Sequence, residues 1–279
     1  MTNFTLLSLL LVFVVNAARW ESSVATIQCV RNCRFLTPLN HGFDLPLSCT
    51  ERISSNGCFT IIIIDYMTGN VSVSFLTEGS EQQKHNAIYL IEQTVELTFY
   101  TKHVKREINT FCFTANCDID YAKRTIDYLK QLNHQPIFDE LSPKLFIPTG
   151  TSLSQCYNTN NQPRGCVGKL CEASVPSKAS DPGSKQCEQE YNLSFVNIEI
   201  NTYRAYPSAA DYDDNDYEIT CNMDLCNGGQ TTKDVQEVIN KYSKQLSPPP
   251  PLSSSSKRIF MTNNNIFNVV FACLLVYII

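Results

Sequence analysis

The sequence predicts a mainly β, small disulfide-rich protein built as two similar units in tandem, each followed by a short helix. Three observations carry that prediction. The chain opens like a secreted one, its cysteine pattern occurs twice, and β-branched runs fill the spaces between cysteines.

Residues 1–17, MTNFTLLSLLLVFVVNA, pass from a short polar start through an apolar core to small residues. That is the pattern of a secretory signal peptide, although no Lys or Arg precedes the apolar core. At the far end, residues 266–279 (IFNVVFACLLVYII) are apolar. As a helix they reach about 21 Å, short of a hydrocarbon core of about 30 Å. Upstream lie a polar spacer, KRIFMTNNN, and a run of small residues at 253–256. Small residues, spacer and apolar tail together form a glycolipid (GPI) anchor signal. Ser254 is the expected attachment point because both residues after it are small. Residues 255–279 are then removed, and a short single span is the alternative. The processed chain loses Lys257 and Arg258 from a formal charge of -5, and so acidic a balance argues against nucleic acid as a partner.

The chain has 13 cysteines. Cys273 lies in the removed tail, leaving an even set: Cys29, Cys33, Cys49, Cys58, Cys112, Cys117, Cys156, Cys166, Cys171, Cys187, Cys221 and Cys226. In a secreted chain an even set reads as a disulfide framework, whereas zinc sites favour tighter C-x2-C knuckles in reducing compartments. The set divides into two sixes. FCFTANCD (111–118) matches TCNMDLCN (220–227), and the fourth cysteine of each six, Cys58 and Cys187, precedes a strand-like run. Such self-similarity points to duplication.

Along the first unit, FTIIIIDYMTGNVSVSFL joins two β-branched runs through Thr68, Gly69 and Asn70 and predicts a hairpin. AIYLIEQTVELTFYT predicts a strand pair or a bent strand, and LSFVNIEI repeats the character in the second unit. After each C-x4-C comes a helical period, at Ile119, Ile126, Leu129 and Leu132, then at Val235, Val238, Ile239, Tyr242 and Leu246. Both periods end on KQL and meet proline, at Pro136 and at Pro248.

Cys221, Asp224, Cys226 and Asn227, with QCYN at 155–158, resemble the ending and opening strand of the three-finger domains of the lymphocyte antigen six and urokinase-receptor superfamily. The likeness is close over 155–228 and weaker over 27–118, where Asp118 stands in place of the terminal Asn. It implies two tandem three-finger-like domains, at 18–120 and 151–228, followed respectively by a helix and linker (121–150) and by a helix and Pro/Ser stalk (229–254). It also implies a reduced set of bridges, as in tandem surface proteins of invertebrates. On that fit Cys156 pairs with Cys171, Cys166 with Cys187 and Cys221 with Cys226. In the first unit Cys29 pairs with Cys49, Cys33 with Cys58 and Cys112 with Cys117. Asn227 would hydrogen-bond the core backbone, and the domains would bind another protein. A first unit in a different disulfide-rich fold stays open.

No catalytic constellation is legible. His41, His85, His103 and His134 lie scattered in polar surroundings, without a nucleophile elbow, an H-E-x-x-H or a phosphate-cradling glycine loop. The expectation is a non-enzyme with no cofactor and no metal, and the four histidines are expected on the surface. DYDDNDYE (211–218) lacks the glycine and terminal Glu of a calcium loop. It reads instead as a partner-binding patch, with Asp211, Asp213, Asp214 and Asp216 facing a basic surface and Tyr212 and Tyr217 as aromatic anchors. Two N-glycosylation sequons, at Asn70 and Asn192, follow the fourth cysteine of their sixes, so glycans are expected on matching faces. LSPPPPLSSSS (246–256) reads as a stiff spacer. The whole predicts a GPI-anchored extracellular protein that binds a cell-surface receptor, channel or adhesion partner. The alternative is a secreted, toxin-like channel or receptor ligand.

Overall fold

Alternation of buried and half-buried residues in CFTIIIID and NVSVSFL builds the clearest unit of the structure, a computed structural model that describes residues 26–77, 87–149, 153–176, 183–190, 192–207 and 214–251. Strands β4 (Cys58–Asp65) and β5 (Asn70–Leu76) form the predicted hairpin. Its turn is fixed by Asp65 Oδ1, which accepts from the backbone N–H groups of Met67 (2.9 Å) and Thr68 (3.1 Å), and by Gly69 at φ +66°. The signal peptide, Ser254 and residues 255–279 lie outside the described residues, as do Asp211, Tyr212 and Asp213. No helix among the described residues is long and apolar enough to cross a membrane.

The remaining strands of the first half are β1 (Ile27–Val30), β2 (Cys33–Pro38), β3 (Arg52–Ser55), β6 (Tyr89–Thr98) and β7 (His103–Cys112), followed by helices α1 (Cys117–Leu129) and α2 (Gln135–Leu145). The second half has β8 (Gln155–Tyr157), β9 (Pro163–Gly165), β10 (Lys169–Val175), β11 (Ser184–Glu190), β12 (Asn197–Tyr206), β13 (Asp214–Cys221), α3 (Gly229–Lys241) and α4 (Ser243–Leu246). In each half a two-stranded ribbon, β1-β3 or β8-β9, stands apart from the main strands.

The two halves meet edge to edge. They share one nine-stranded antiparallel sheet in the order β11-β10-β13-β12-β6-β7-β4-β5-β2. β6, one unbroken strand rather than a pair, lies along β12 from Thr98 opposite Asn197 to Tyr89 opposite Tyr206. The order outward from this seam is the same on both sides, β6-β7-β4-β5 and β12-β13-β10-β11, and β2 extends the first side. Pairing buries two edges that would otherwise expose unpaired backbone groups.

The helices cover one face of this sheet. α1 buries Tyr121, Ala122, Ile126 and Leu129 against Ile62, Ile64, Val71 and Ile108 of the first half. α2 lies in the expected linker. Pro136, which reads in sequence as a stop, sits in its first turn, where its missing N–H costs nothing. α2 places Ile137, Phe138, Leu141 and Leu145 in the core of the second half, alongside Val235 and Ile239 of α3. Lys144 bonds Asp234 at 2.9 Å and Lys241 bonds Glu140 at 2.6 Å across these helices. In return, the C-terminal segment crosses to the first half, where the Tyr128 hydroxyl donates to the Lys244 carbonyl at 2.7 Å. Leu246, Pro248 and Pro249 are buried, so the front of the expected spacer is docked and a free spacer begins no earlier than Pro250.

Candidate recognition face

Six bridges hold the base of the strands: Cys29–Cys58, Cys33–Cys49, Cys112–Cys117, Cys156–Cys171, Cys166–Cys187 and Cys221–Cys226. The second half follows the pairing implied by the resemblance. The first does not, since Cys29 bonds Cys58 rather than Cys49, and Cys33 bonds Cys49. The reason lies in the sheet. Cys58 faces Cys112 across β4 and β7 as Cys171 faces Cys221 across β10 and β13. Cys58 is therefore the counterpart of Cys171, the third cysteine of its six, and not of Cys187. The sulfurs of Cys58, Cys112 and Cys117 lie within 4.8 Å of one another, as do those of Cys156, Cys166 and Cys187, and all are engaged in bridges.

The loop CNMDLCN joins the chain ends of the second half through its polar residues. Buried Asn222 exchanges two bonds with Ile147, accepting from its N–H (2.7 Å) and donating to its carbonyl (2.8 Å). Asp224 accepts from Ser154 N–H (2.6 Å), Ser154 Oγ (2.7 Å) and Gln155 N–H (3.1 Å), and these bonds hold its carboxyl below the usual range. Asn227, fully buried, accepts from Tyr157 N–H (2.8 Å) and donates to the carbonyls of Tyr157 (2.8 Å) and Glu172 (3.0 Å), tying β8 to β10. In the first half Asp118 occupies the same place after its cysteine. Its Oδ2 accepts from Val30 N–H at 2.8 Å, so a carboxylate replaces the amide as acceptor without the donating half.

Strand alternation sends Glu92, Glu96, Glu107, Glu199, Asp214, Asp216 and Glu218 to the sheet face opposite the helices. Glu96 stands opposite Glu199, and Glu199 opposite Glu218, in one row across three strands. Like charges directly opposed are destabilising. Their hydrogen bonds come from neutral donors: Asn201 Nδ2 to Glu199 (3.1 Å), and Asn197 Nδ2 to Glu96 (3.4 Å). Among the described residues neither Glu96, Glu199 nor Glu218 forms an ion pair. The basic residues of the four central strands on this face are Lys105, opposite Glu96, and His103, which is engaged with Asp65 at 2.8 Å. Tyr203 rises amid the carboxylates, 39% exposed. Partial burial, then the charges of Glu92, Asp216, Asp214 and Glu199, pushes its phenol up.

The sequence-predicted patch is thus placed in part. Asp214 and Asp216 belong to the face, but Tyr217 does not. It alternates with Ile219 and Cys221 into the core and is 6% exposed, so Tyr203 is the exposed aromatic. The missed carboxylates on β6, β7 and β12 carry no sequence signal of proximity, because only pairing assembles them.

Asn70 opens β5 at the tip of its hairpin, whereas exposed Asn192 follows β11 at the end away from the hairpin turn, its Oδ1 accepting from Ser194 N–H and Oγ. The sequons therefore lie at opposite ends of the corresponding strands β5 and β11. His134 is 7% exposed, contrary to its expected surface position. Comparison with family models, with curated proteins and with solved structures finds no match to the chain.

Proposed function

We propose that the chain is a GPI-anchored, extracellular protein-binding module of two three-finger-like units, fused edge to edge, that recognises a basic surface on a cell-surface receptor, channel or adhesion protein. The observation that carries this reading is the row Glu96, Glu199, Glu218, three opposed carboxylates without ion-pair partners among the described residues, on the sheet face opposite the helices. A protein tolerates such repulsion where it serves a partner, and charge complementarity steers association and selects against wrong surfaces. Tyr203 supplies an aromatic anchor at the centre of the acidic field.

The three-finger reading is supported by the matching strand order of the halves and by cysteines gathered at one end of their hairpins. The extracellular reading is supported by six bridges. N-glycans at Asn70 and Asn192 and lipid at Ser254 belong to the same proposal.

The test has two arms. Cell-surface partners captured with the wild-type protein are bound again, at rising salt, to a variant with Glu96, Glu199 and Glu218 replaced by Gln. A weaker affinity and a flatter salt slope support the acidic face, and an unchanged slope removes it. Phosphatidylinositol-specific phospholipase should release the protein from cells, whereas retention favours a single span.

A further inference from the structure

On the helix-bearing side of the sheet, where the crossing C-terminal segment meets both halves, lies a cleft of about 420 Å³. Its walls bring Arg124 and Tyr128 from α1, Arg204 from β12, and Lys244 with the Pro248 to Pro250 run from the tail. Three cations thus converge with no carboxylate among the lining residues. The size is that of a small-molecule site.

Each cation is left with charge to spare. Arg204 donates to the carbonyls of Tyr203 (2.7 Å) and Asp214 (3.0 Å) and to Asn215 Oδ1 (2.9 Å). These neutral acceptors fix the guanidinium without cancelling its charge. Lys244 is exposed, and its residue is fastened through its carbonyl by the Tyr128 hydroxyl, so the tail wall is tied to α1. Arg124 carries the decisive observation. Its Nη1 is shielded from solvent and has no hydrogen-bond partner among the described residues. A guanidinium does not escape such a position by deprotonating, and an occluded, unmatched donor is costly.

We propose that this cleft binds a tetrahedral oxyanion, phosphate or sulfate, held by the charges of Arg124, Arg204 and Lys244, with the Arg124 side chain turning to bring its unmatched Nη1 against an anion oxygen. Arginine forks suit such groups through paired, charge-assisted bonds. The volume exceeds that of the bare anion, and the proline and tyrosine walls leave room for a small organic ester. The site lies on the opposite side of the sheet from the acidic face and stands or falls independently of it.

Calorimetric titration of the purified chain at constant ionic strength, with inorganic phosphate, inorganic sulfate and glucose 6-phosphate, tests the site. Saturable one-site binding is expected. It should weaken about tenfold in Arg124→Gln, the loss of one charge-assisted contact, and several-fold in Lys244→Gln. The latter changes only an exposed side chain and leaves the fold as it is. Lys105→Gln, on the opposite face, should bind as wild type. Saturation by inorganic anions assigns the site to the free ion, and saturation by the ester alone assigns it to an esterified ligand. Absence of saturable binding by all three probes overturns the proposal, as does an equal loss in Lys105→Gln and Lys244→Gln.

Discussion

Glu96 lies directly opposite Glu199 across the seam that joins the two halves of the sheet. Opposed residues in an antiparallel pair bring their Cβ atoms to roughly 5 Å, and like charges there oppose pairing. Glu199→Gln should therefore stabilise the isolated protein, by about 0.5–1 kcal/mol, read from the denaturant midpoint at low salt. The gain should shrink as salt screens the wild-type repulsion. Loss of stability in the variant would mean that the carboxylates are held by something other than tolerance for a partner.

Asn227 makes a sharper claim about the base. It serves Tyr157 at both its N–H and carbonyl and also reaches Glu172. Asn227→Ala leaves buried backbone groups unmatched and should cost about 2–4 kcal/mol, measured by equilibrium unfolding. Asp118→Ala in the first half removes the acceptor for Val30 N–H alone among strand contacts, so its cost should be smaller, about 1–3 kcal/mol.

Bridge mapping without reduction should return Cys29 with Cys58 and Cys33 with Cys49. The alternative, Cys29 with Cys49 and Cys33 with Cys58, gives distinct peptides and would break the equivalence of Cys58 with Cys171. The contrast marks what was legible in the sequence. The duplicated C-x4-C loops, the β4-β5 hairpin and the helical periods of α1 and α3 are local patterns, and local periodicity reports them. Counting cysteines in order failed because β2 is inserted between β1 and β3 in the first half alone, so two cysteines, Cys33 and Cys49, precede Cys58 after Cys29 where Cys166 alone precedes Cys171 after Cys156. The core position of Tyr217 was readable from its alternation with Ile219 and Cys221. The β6-β12 seam was not, because a strand's pattern fixes which side is buried without naming its neighbour. The acidic face inherits that limit, since Glu96 and Glu199 are more than a hundred residues apart in sequence.

Arg106 is buried on β7 and donates to Gln93 Oε1 (2.9 Å) and to the Gln245 carbonyl (2.7 Å), while Gln93 Nε2 donates to the Leu246 carbonyl (2.6 Å). Two side chains from the first half thus grip the end of α4. Arg106→Met keeps the bulk but forfeits the grip. The expected cost is about 1–3 kcal/mol, with faster hydrogen exchange at the amides of Gln245, Leu246 and Ser247 and little change in the sheet. Uniform loss of protection across β6 and β7 would instead assign Arg106 to sheet integrity.

Acid should act through His134. Its ring is buried edge-on against Tyr66 (4.6 Å between centroids), and burial, reinforced by the charge of Arg106, lowers its pKa to about 4. The unfolded chain takes up a proton near pH 6.5, which the folded chain refuses until about pH 4. Between those values the unfolded state binds more protons, so stability falls as pH drops and the His134 contribution levels off below pH 4. The loss is of order 3 kcal/mol. His134→Phe retains an aromatic ring beside Tyr66 and removes the titrating group, so its unfolding free energy should be flatter between pH 6.5 and 4 than that of the wild type. Parallel pH profiles for the two proteins between pH 6.5 and 4 would show that the acid sensitivity arises elsewhere, and not at Asp224, whose lowered carboxyl pKa places its loss below that interval.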